Sequence, residues 1–223
     1  MIRFLAVLFS LVLLLALAAG GASLYVFWRF GRDLPDYSQL ADYRPAVMSR
    51  VHAGDGTLIA EFAHQRRLFV PIAAMPKQVI QAFLAAEDKT FYTHPGIDFA
   101  GIASAMLRNI KNIGGKRRPV GASTITQQVA KNFLLTNELS IARKIKEAIL
   151  AFRIEHAFSK DRILELYLNE IYLGLGSYGV AAAALNYFDK SLDELNLEET
   201  AFLAALPKAP NNYHPIRNRK AAE

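Results

Sequence analysis

Hydrophobic positions in this 223-residue chain follow three successive patterns. The first is an unbroken apolar run, Phe4 to Trp28, which carries no charge over 25 residues. As a helix it would span about 37 Å at roughly 1.5 Å per residue, enough to cross a bilayer with some tilt. Tyr25, Phe27 and Trp28 stand at its far end, where aromatic rings favour the membrane interface. Ala16-Leu17-Ala18 resembles a signal-peptidase site, but the apolar run continues ten residues beyond it. The segment is therefore read as a retained span rather than a cleaved leader. Arg3 on one side and Arg29 and Arg32 on the other leave its orientation open.

The second pattern is short. Residues 29–50 mix Gly31, Pro35, Asp33, Asp36 and Pro45 without period and read as a linker. Arg50-Val51-His52 and Thr57 to Phe62 then flank Gly54-Asp55-Gly56, an Asp-Gly turn between β-prone runs that predicts a hairpin. From Pro76 the third pattern takes over, with apolar residues recurring at helical spacing. It predicts helices over 76–92, 98–112, 124–136, 140–158, 160–172, 178–187 and 198–206, punctuated by Pro95, Gly114-Gly115, Pro119, Gly174, Gly176, Pro207 and Pro210. The expected fold class is mainly α, with one membrane-proximal β-hairpin and one N-terminal transmembrane helix.

Composition narrows the chemistry. With 52% hydrophobic and 21% charged residues, the chain is not the kind that stays disordered. It has no cysteine, which excludes disulfides, thiolate nucleophiles and cysteine metal sites. The histidines form no HExxH or similar close pair. A net charge of +6 points to an anionic partner: nucleic acid, a membrane surface or a phosphorylated substrate.

Four stretches could carry chemistry. In Val79 to Gly96, Glu87 lies four residues from both Phe83 and Phe91, so on a continuous helix it would share their apolar stripe. A carboxylate placed there is partly desolvated, which raises its pKa and makes it a better base. In Gly121 to Asn132, Thr124 and Gln127 fit a capping box, and Lys131 shares their face. A hydroxyl-rich helix start suits a phosphate or a sugar. In Arg143-Lys144-Ile145-Lys146-Glu147, two cations flank one carboxylate, an arrangement suited to a pyrophosphate; Ile141, Ile145, Ala148, Ile149 and Phe152 form the expected buried stripe. In Lys160 to Asn169, Glu165 and Asn169 share a face, for which a buried hydrogen-bonding role competes with catalysis. Taken singly, each of the four has an ordinary structural explanation.

In this order, the stretches resemble the peptidoglycan glycosyltransferase family, the transglycosylase domain of class A penicillin-binding proteins and monofunctional transglycosylases. Glu87 to Gly96 matches E-D-x-x-F-x-x-H-x-G, and Gly121 to Gln128 matches G-x-S-T-I-T-Q-Q. Arg143, Lys144 and Glu147 match R-K-x-x-E, Ile163 to Asn169 matches I-L-E-x-Y-L-N, and Ala204 to Pro210 looks like a fifth motif. The hairpin region, Val51 to Arg67, is closer to the class A proteins. The chain holds no S-x-x-K or K-T-G of a transpeptidase domain, so 51–223 is expected to be a glycosyltransferase half, naturally short or truncated at its end.

The resemblance implies a lysozyme-like fold that polymerises lipid II into β-1,4-linked glycan and releases undecaprenyl pyrophosphate. It implies Glu87 as the base of an inverting displacement. Lys131, Arg143 and Lys144 would serve the pyrophosphate, with Glu147 holding a divalent metal (magnesium or manganese) or a cation. Asp88, His94, Ser123, Thr124, Gln127, Gln128, Glu165 and Asn169 would complete the substrate site. Ile102, Met106 and Ile110, followed by Lys116-Arg117-Arg118, would form a membrane-dipping jaw. The implied partners are lipid II, the growing glycan, the bilayer and other cell-wall synthesis proteins of the divisome or elongasome, with no nucleic acid. The implied location is the bacterial cytoplasmic membrane, single-pass, with the catalytic domain on the periplasmic face. A lysozyme-like hydrolase and a catalytically impaired lipid II-binding scaffold are the rival functions.

Overall fold

The computed structural model describes residues 2–43, 49–62, 66–114, 121–136 and 140–208. The apolar run forms α1 (Ile2–Gly31), whose side chains are exposed along nearly its whole length. It is long and apolar enough to cross a membrane. Its end meets the domain where Arg153 Nη2 donates to the Gly31 carbonyl at 3.2 Å.

The hairpin appears as expected. Strand β1 (Ser49–His52) pairs antiparallel with β2 (Leu58–Phe62), with a register shift between Val51 and His52. Asp55 closes the turn by accepting from the Thr57 amide, and Gly56 takes a φ of 87°. A second small sheet was not legible in the sequence: β3 (Arg66–Arg67) runs parallel to β4 (Ser177–Tyr178), more than a hundred residues away.

The helical domain follows as α2 (Lys77–Glu87), α3 (Phe99–Lys111), α4 (Ile125–Leu134), α5 (Ile141–Ala157), α6 (Lys160–Glu170), α7 (Val180–Phe188) and α8 (Leu197–Ala205). Their starts are written in the sequence. Asp98, Thr124, Ser140, Ser159 and Asn196 each accept a backbone N–H of the first turn. Such caps satisfy donors that helix ends otherwise orphan. Helix α4 is central: it packs on α5 and α6, and Ile125, Thr126, Val129 and Ala130 are all fully buried. Phe83, Phe91, Leu150, Ile154, Leu164, Tyr167 and Leu168 fill the core around it.

Four expectations need correction. Helix α2 stops at Glu87 rather than at 92, because Asp88 leaves helical geometry with φ −157° and ψ 80°. Phe91 is buried, but it reaches the core from a loop and not along the stripe of Phe83. Up to Tyr43, the segment read as a linker is docked: Leu40 is buried, Arg162 Nη2 holds the carbonyls of Leu40 and Ala41, and Tyr43 packs edge-on against Phe133 at 4.6 Å. Helix α7 starts at Val180, after β4 has used Ser177 and Tyr178. On α5 the buried face is Glu147, Leu150, Ala151 and Ile154, with Ile149 at its edge. Ile141 is 83% exposed and Phe152 43%, Ile145 and Ala148 are half-buried, and of the stripe expected to be buried Ile149 alone is. Periodicity identified an apolar face there, but α4 and α6 selected its neighbour for the core.

Candidate active site

Glu87 is the last residue of α2, half-buried, at the wall of a cleft of about 210 Å³. Asp88, Arg108, Ser123 and Thr124 line the same cleft. Gln128 Nε2 donates to Glu87 Oε2 at 2.8 Å, which orients the carboxylate from α4. Burial pushes the Glu87 carboxyl above its ordinary pKa; the Gln128 hydrogen bond and the Lys208 charge pull the other way, and Asp88 adds a further push. A carboxylate with a raised pKa and a cleft to face can act as a general base.

Asp88 and His94 are committed elsewhere. Both are buried, and His94 Nε2 lies 2.9 and 3.0 Å from the two Asp88 oxygens. The Gly96 amide donates to His94 Nδ1, so Nδ1 carries the lone pair and Nε2–H is the donor to Asp88. Asp88 Oδ2 also accepts from the Ile125 amide at the start of α4. Thr124 completes the joint: its hydroxyl donates to the Gly96 carbonyl at 2.7 Å while accepting from the Gln127 amide. Gln127 closes the capping box by accepting from the Thr124 amide. Gly96 adopts φ 93° against Ala151, where a Cβ would lie 2.9 Å from the Ala151 carbonyl oxygen. The loop 88–96 is thus stapled to α4 and α5, and the staple fixes where Glu87 emerges. Asp88, His94, Thr124 and Gln127, expected to bind substrate, use their polar atoms on this joint, although Asp88 and Thr124 still line the cleft.

The cation cluster reaches the cleft through Ser123. Lys144 Nζ donates to Ser123 Oγ at 3.1 Å and to Glu147 Oε2 at 2.6 Å, while Arg143 Nη1 faces Glu147 Oε1 at 3.4 Å. The three differ in burial: Glu147 is 1% exposed, the Arg143 side chain 12% and the Lys144 side chain 51%. Glu147 Oε1 and Arg143 Nε are buried without hydrogen-bond partners among the described residues. This donor set does not fit a divalent ion. Both carboxylate oxygens already face cations, and among the described residues no three His, Asp or Glu side chains gather. Magnesium and manganese prefer several oxygen ligands, so the metal expected at Glu147 enters no step below. Glu147 instead faces Arg143 with one oxygen and Lys144 with the other.

Lys131 stands three residues beyond Gln128 on α4, half-buried. Glu165 and Asn169 are engaged elsewhere. Glu165 accepts from the Ile72 amide and from Arg162, and Asn169 bonds both polar groups of the Val70 backbone, which ties residues 70–72 to α6. On α3 the jaw residues Met106 and Ile110 are exposed and Ile102 is half-buried; the basic stretch 116–118 lies outside the described residues.

Three residues of the site were not singled out in the sequence. Arg108 lines the cleft, Lys208 places its charge near Glu87, and Tyr167 is buried with no hydrogen-bond partner for its hydroxyl among the described residues. Burial and the charges of Glu87 and Asp88 hold the Tyr167 phenol well above its ordinary pKa. Tyr167 and Lys208 both lie within motifs, so their positions were visible but their neighbours were not.

The chain is similar to several known proteins. A family model described as Transglycosylase matches residues 55–223. Penicillin-binding protein 1A of Rickettsia felis is 56% identical over 204 residues, covering 92% of this chain and 26% of that protein. The protein of the same name from Neisseria flavescens is 49% identical over 190 residues, covering 85% and 23%. A crystal structure of penicillin-binding protein 1A from Haemophilus influenzae shares 30% identity with a TM-score of 0.40, covering 81% of this chain and 17% of that one. The chain spans about a quarter of the length of the curated relatives it matches.

Proposed function

Because this chain belongs to the transglycosylase family, we propose that it is a peptidoglycan glycosyltransferase that polymerises lipid II into β-1,4-linked glycan. The observation that carries the proposal is Glu87: half-buried, oriented by Gln128 and opening on a cleft that borders the Lys144 cation. Glu87 takes the proton from the 4-hydroxyl of the acceptor sugar. That oxygen attacks the donor anomeric carbon from the face opposite the leaving group, the bond from this carbon to the pyrophosphate oxygen breaks, and the configuration inverts. The leaving group departs as an anion and needs countercharge rather than a proton. Lys144 and Arg143, anchored by Glu147, supply it, with Lys131 and Arg108 as further cations along the path. Ser123 and Gln128 bond the sugars or phosphates as they enter. Burial strengthens each of these interactions, because the local dielectric is lower than that of water.

On this proposal α1 anchors the chain in the cytoplasmic membrane with the domain on its outer face. The exposed apolar side chains of Met106 and Ile110 dip into the bilayer surface, bringing the cleft to its lipid-borne substrate. The test is to incubate the chain with labelled lipid II and, separately, with finished glycan. Polymer growth supports the proposal. Cleavage of finished strands without growth would make the domain a hydrolase, and binding without turnover would make it a scaffold.

The cation pair yields a sharper expectation. Lys144 is half exposed, so Lys144→Ala should cost less than about 1 kcal/mol of stability while cutting turnover. Arg143 is mostly buried, and Arg143→Ala would remove the countercharge from the buried Oε1 side of Glu147 and leave the carboxylate to Lys144 alone, at a cost of about 1–3 kcal/mol. Thermal unfolding measured beside initial rates separates the two. Equal losses of stability would contradict the burial difference on which the assignment stands.

A further inference from the structure

A second cavity lies apart from the cleft at Glu87. It is an open apolar groove of about 500 Å³, walled by Val26 and Phe27 of α1, Phe99 at the start of α3, and Ile145, Ala148 and Phe152 of α5. Its volume lies within the roughly 300–1,000 Å³ of ordinary ligand sites. Part of it is the α5 face that periodicity marks as apolar and the core leaves uncovered. A contiguous exposed apolar surface of this kind marks a ligand or membrane contact rather than a free surface.

Two features of the groove identify its occupant. One wall is the last turns of α1, the helix long and apolar enough to cross a membrane, so the groove opens at the level where that helix leaves the bilayer. A hydrocarbon chain could pass from the bilayer into the groove without crossing water. Among the described residues the one charged side chain lining the groove is Lys144, whose Nζ also bonds Ser123 Oγ, and Ser123 lines the Glu87 cleft. One cation therefore stands where the apolar groove and the polar cleft meet. A molecule that fits both has a long hydrocarbon chain, a phosphate at the junction and a polar head beyond it.

We propose that this groove holds the hydrocarbon tail of the lipid-linked pyrophosphate substrate, with the phosphate at Lys144 and the sugar in the Glu87 cleft. The inference rests on the glycosyltransferase function proposed above and adds a tail site to it. Chain-length preference then originates on the outer face of α5, on residues that take no part in the chemistry.

The test uses the full chain in vesicles and two forms of lipid II, one with its native long tail and one with a short, water-soluble tail. Phe152→Asp places a carboxylate in the groove at an exposed position, and Ala148→Trp fills it; circular dichroism checks that both variants fold. The ratio of kcat/KM for long over short tail should fall about tenfold in each, the scale of discrimination set by apolar pocket contacts. A long-tailed lipid II carrying a benzophenone at its tail end should cross-link to the peptide 145–152, and Ala148→Trp should remove that cross-link. An unchanged ratio in folded variants, or cross-links confined to α1 and α3, would overturn the tail site. So would cross-linking of 145–152 by a photoactivatable phosphatidylglycerol that added lipid II fails to displace, since the groove would then belong to bilayer lipid. If the parent chain polymerises neither form, the proposed activity falls, and the cross-link still decides the groove.

Discussion

Glu87→Gln is expected to lower lipid II polymerisation by roughly two to four orders of magnitude, the usual contribution of a general base. The substitution keeps the shape of the side chain and still accepts the Gln128 hydrogen bond, but it cannot take a proton. Binding of lipid II should change little, because the lost group acts chiefly in the transition state. Stability should move the other way. Folding raises the Glu87 pKa above its unfolded value, so the fold disfavours the ionised carboxylate. This penalty is absent in acid, where both states are protonated, and grows as the pH rises past the unfolded pKa. At neutral pH Glu87→Gln should therefore unfold at a higher temperature than the parent, with the gain vanishing at low pH. In the parent, kcat/KM should fall on the acid side with a midpoint above that of an ordinary glutamate. A variant that polymerises near the parent rate would end the assignment of Glu87 as base.

The second large effect is structural. Asp88 accepts from His94 Nε2 and from the Ile125 amide, both in a buried setting. Hydrogen bonds to a charged acceptor contribute roughly 1.5–3 kcal/mol each, so Asp88→Ala should cost about 3–6 kcal/mol. Against a typical total of about 5–15 kcal/mol, that is a large share of the fold. Asp88→Asn keeps one acceptor oxygen and should lose less. Chemical denaturation of both variants measures the difference. A loss below about 0.5 kcal/mol for the alanine variant would show that the loop 88–96 is held by its apolar contacts alone.

These two residues are adjacent in sequence and opposite in role, and the chain alone does not separate them. Glu87 ends α2 facing the cleft; Asp88, one residue on, turns inward to meet His94. The residue expected as the base lies at the cleft, but the geometry that puts it there is not a continuous apolar stripe from Phe83 to Phe91. It is a helix end followed by a stapled loop. The cation motif shows the same limit. Arg143, Lys144 and Glu147 were legible as a cluster, but their exposures of 12%, 51% and 1% were not, and those exposures decide which of them can meet a ligand.

The sequence by itself determined the elements. The uncharged run predicts α1, the Asp-Gly turn predicts the β1–β2 hairpin, and the capping box at Thr124 and Gln127 predicts where α4 begins. Each of these is a local property, set by spacing, turn chemistry or a side chain bonding its own backbone, and so can be read without knowing what lies across the domain. The tertiary structure alone decided which face of α5 joins the core, that β3 pairs with β4, that residues 34–43 dock on the domain, and that Arg108 and Lys208 come near Glu87. Those outcomes depend on competition between surfaces distant in sequence. An apolar stripe on α5 can be buried or left open with the same periodicity, and only the packing of α4 and α6 against the adjacent face settles which.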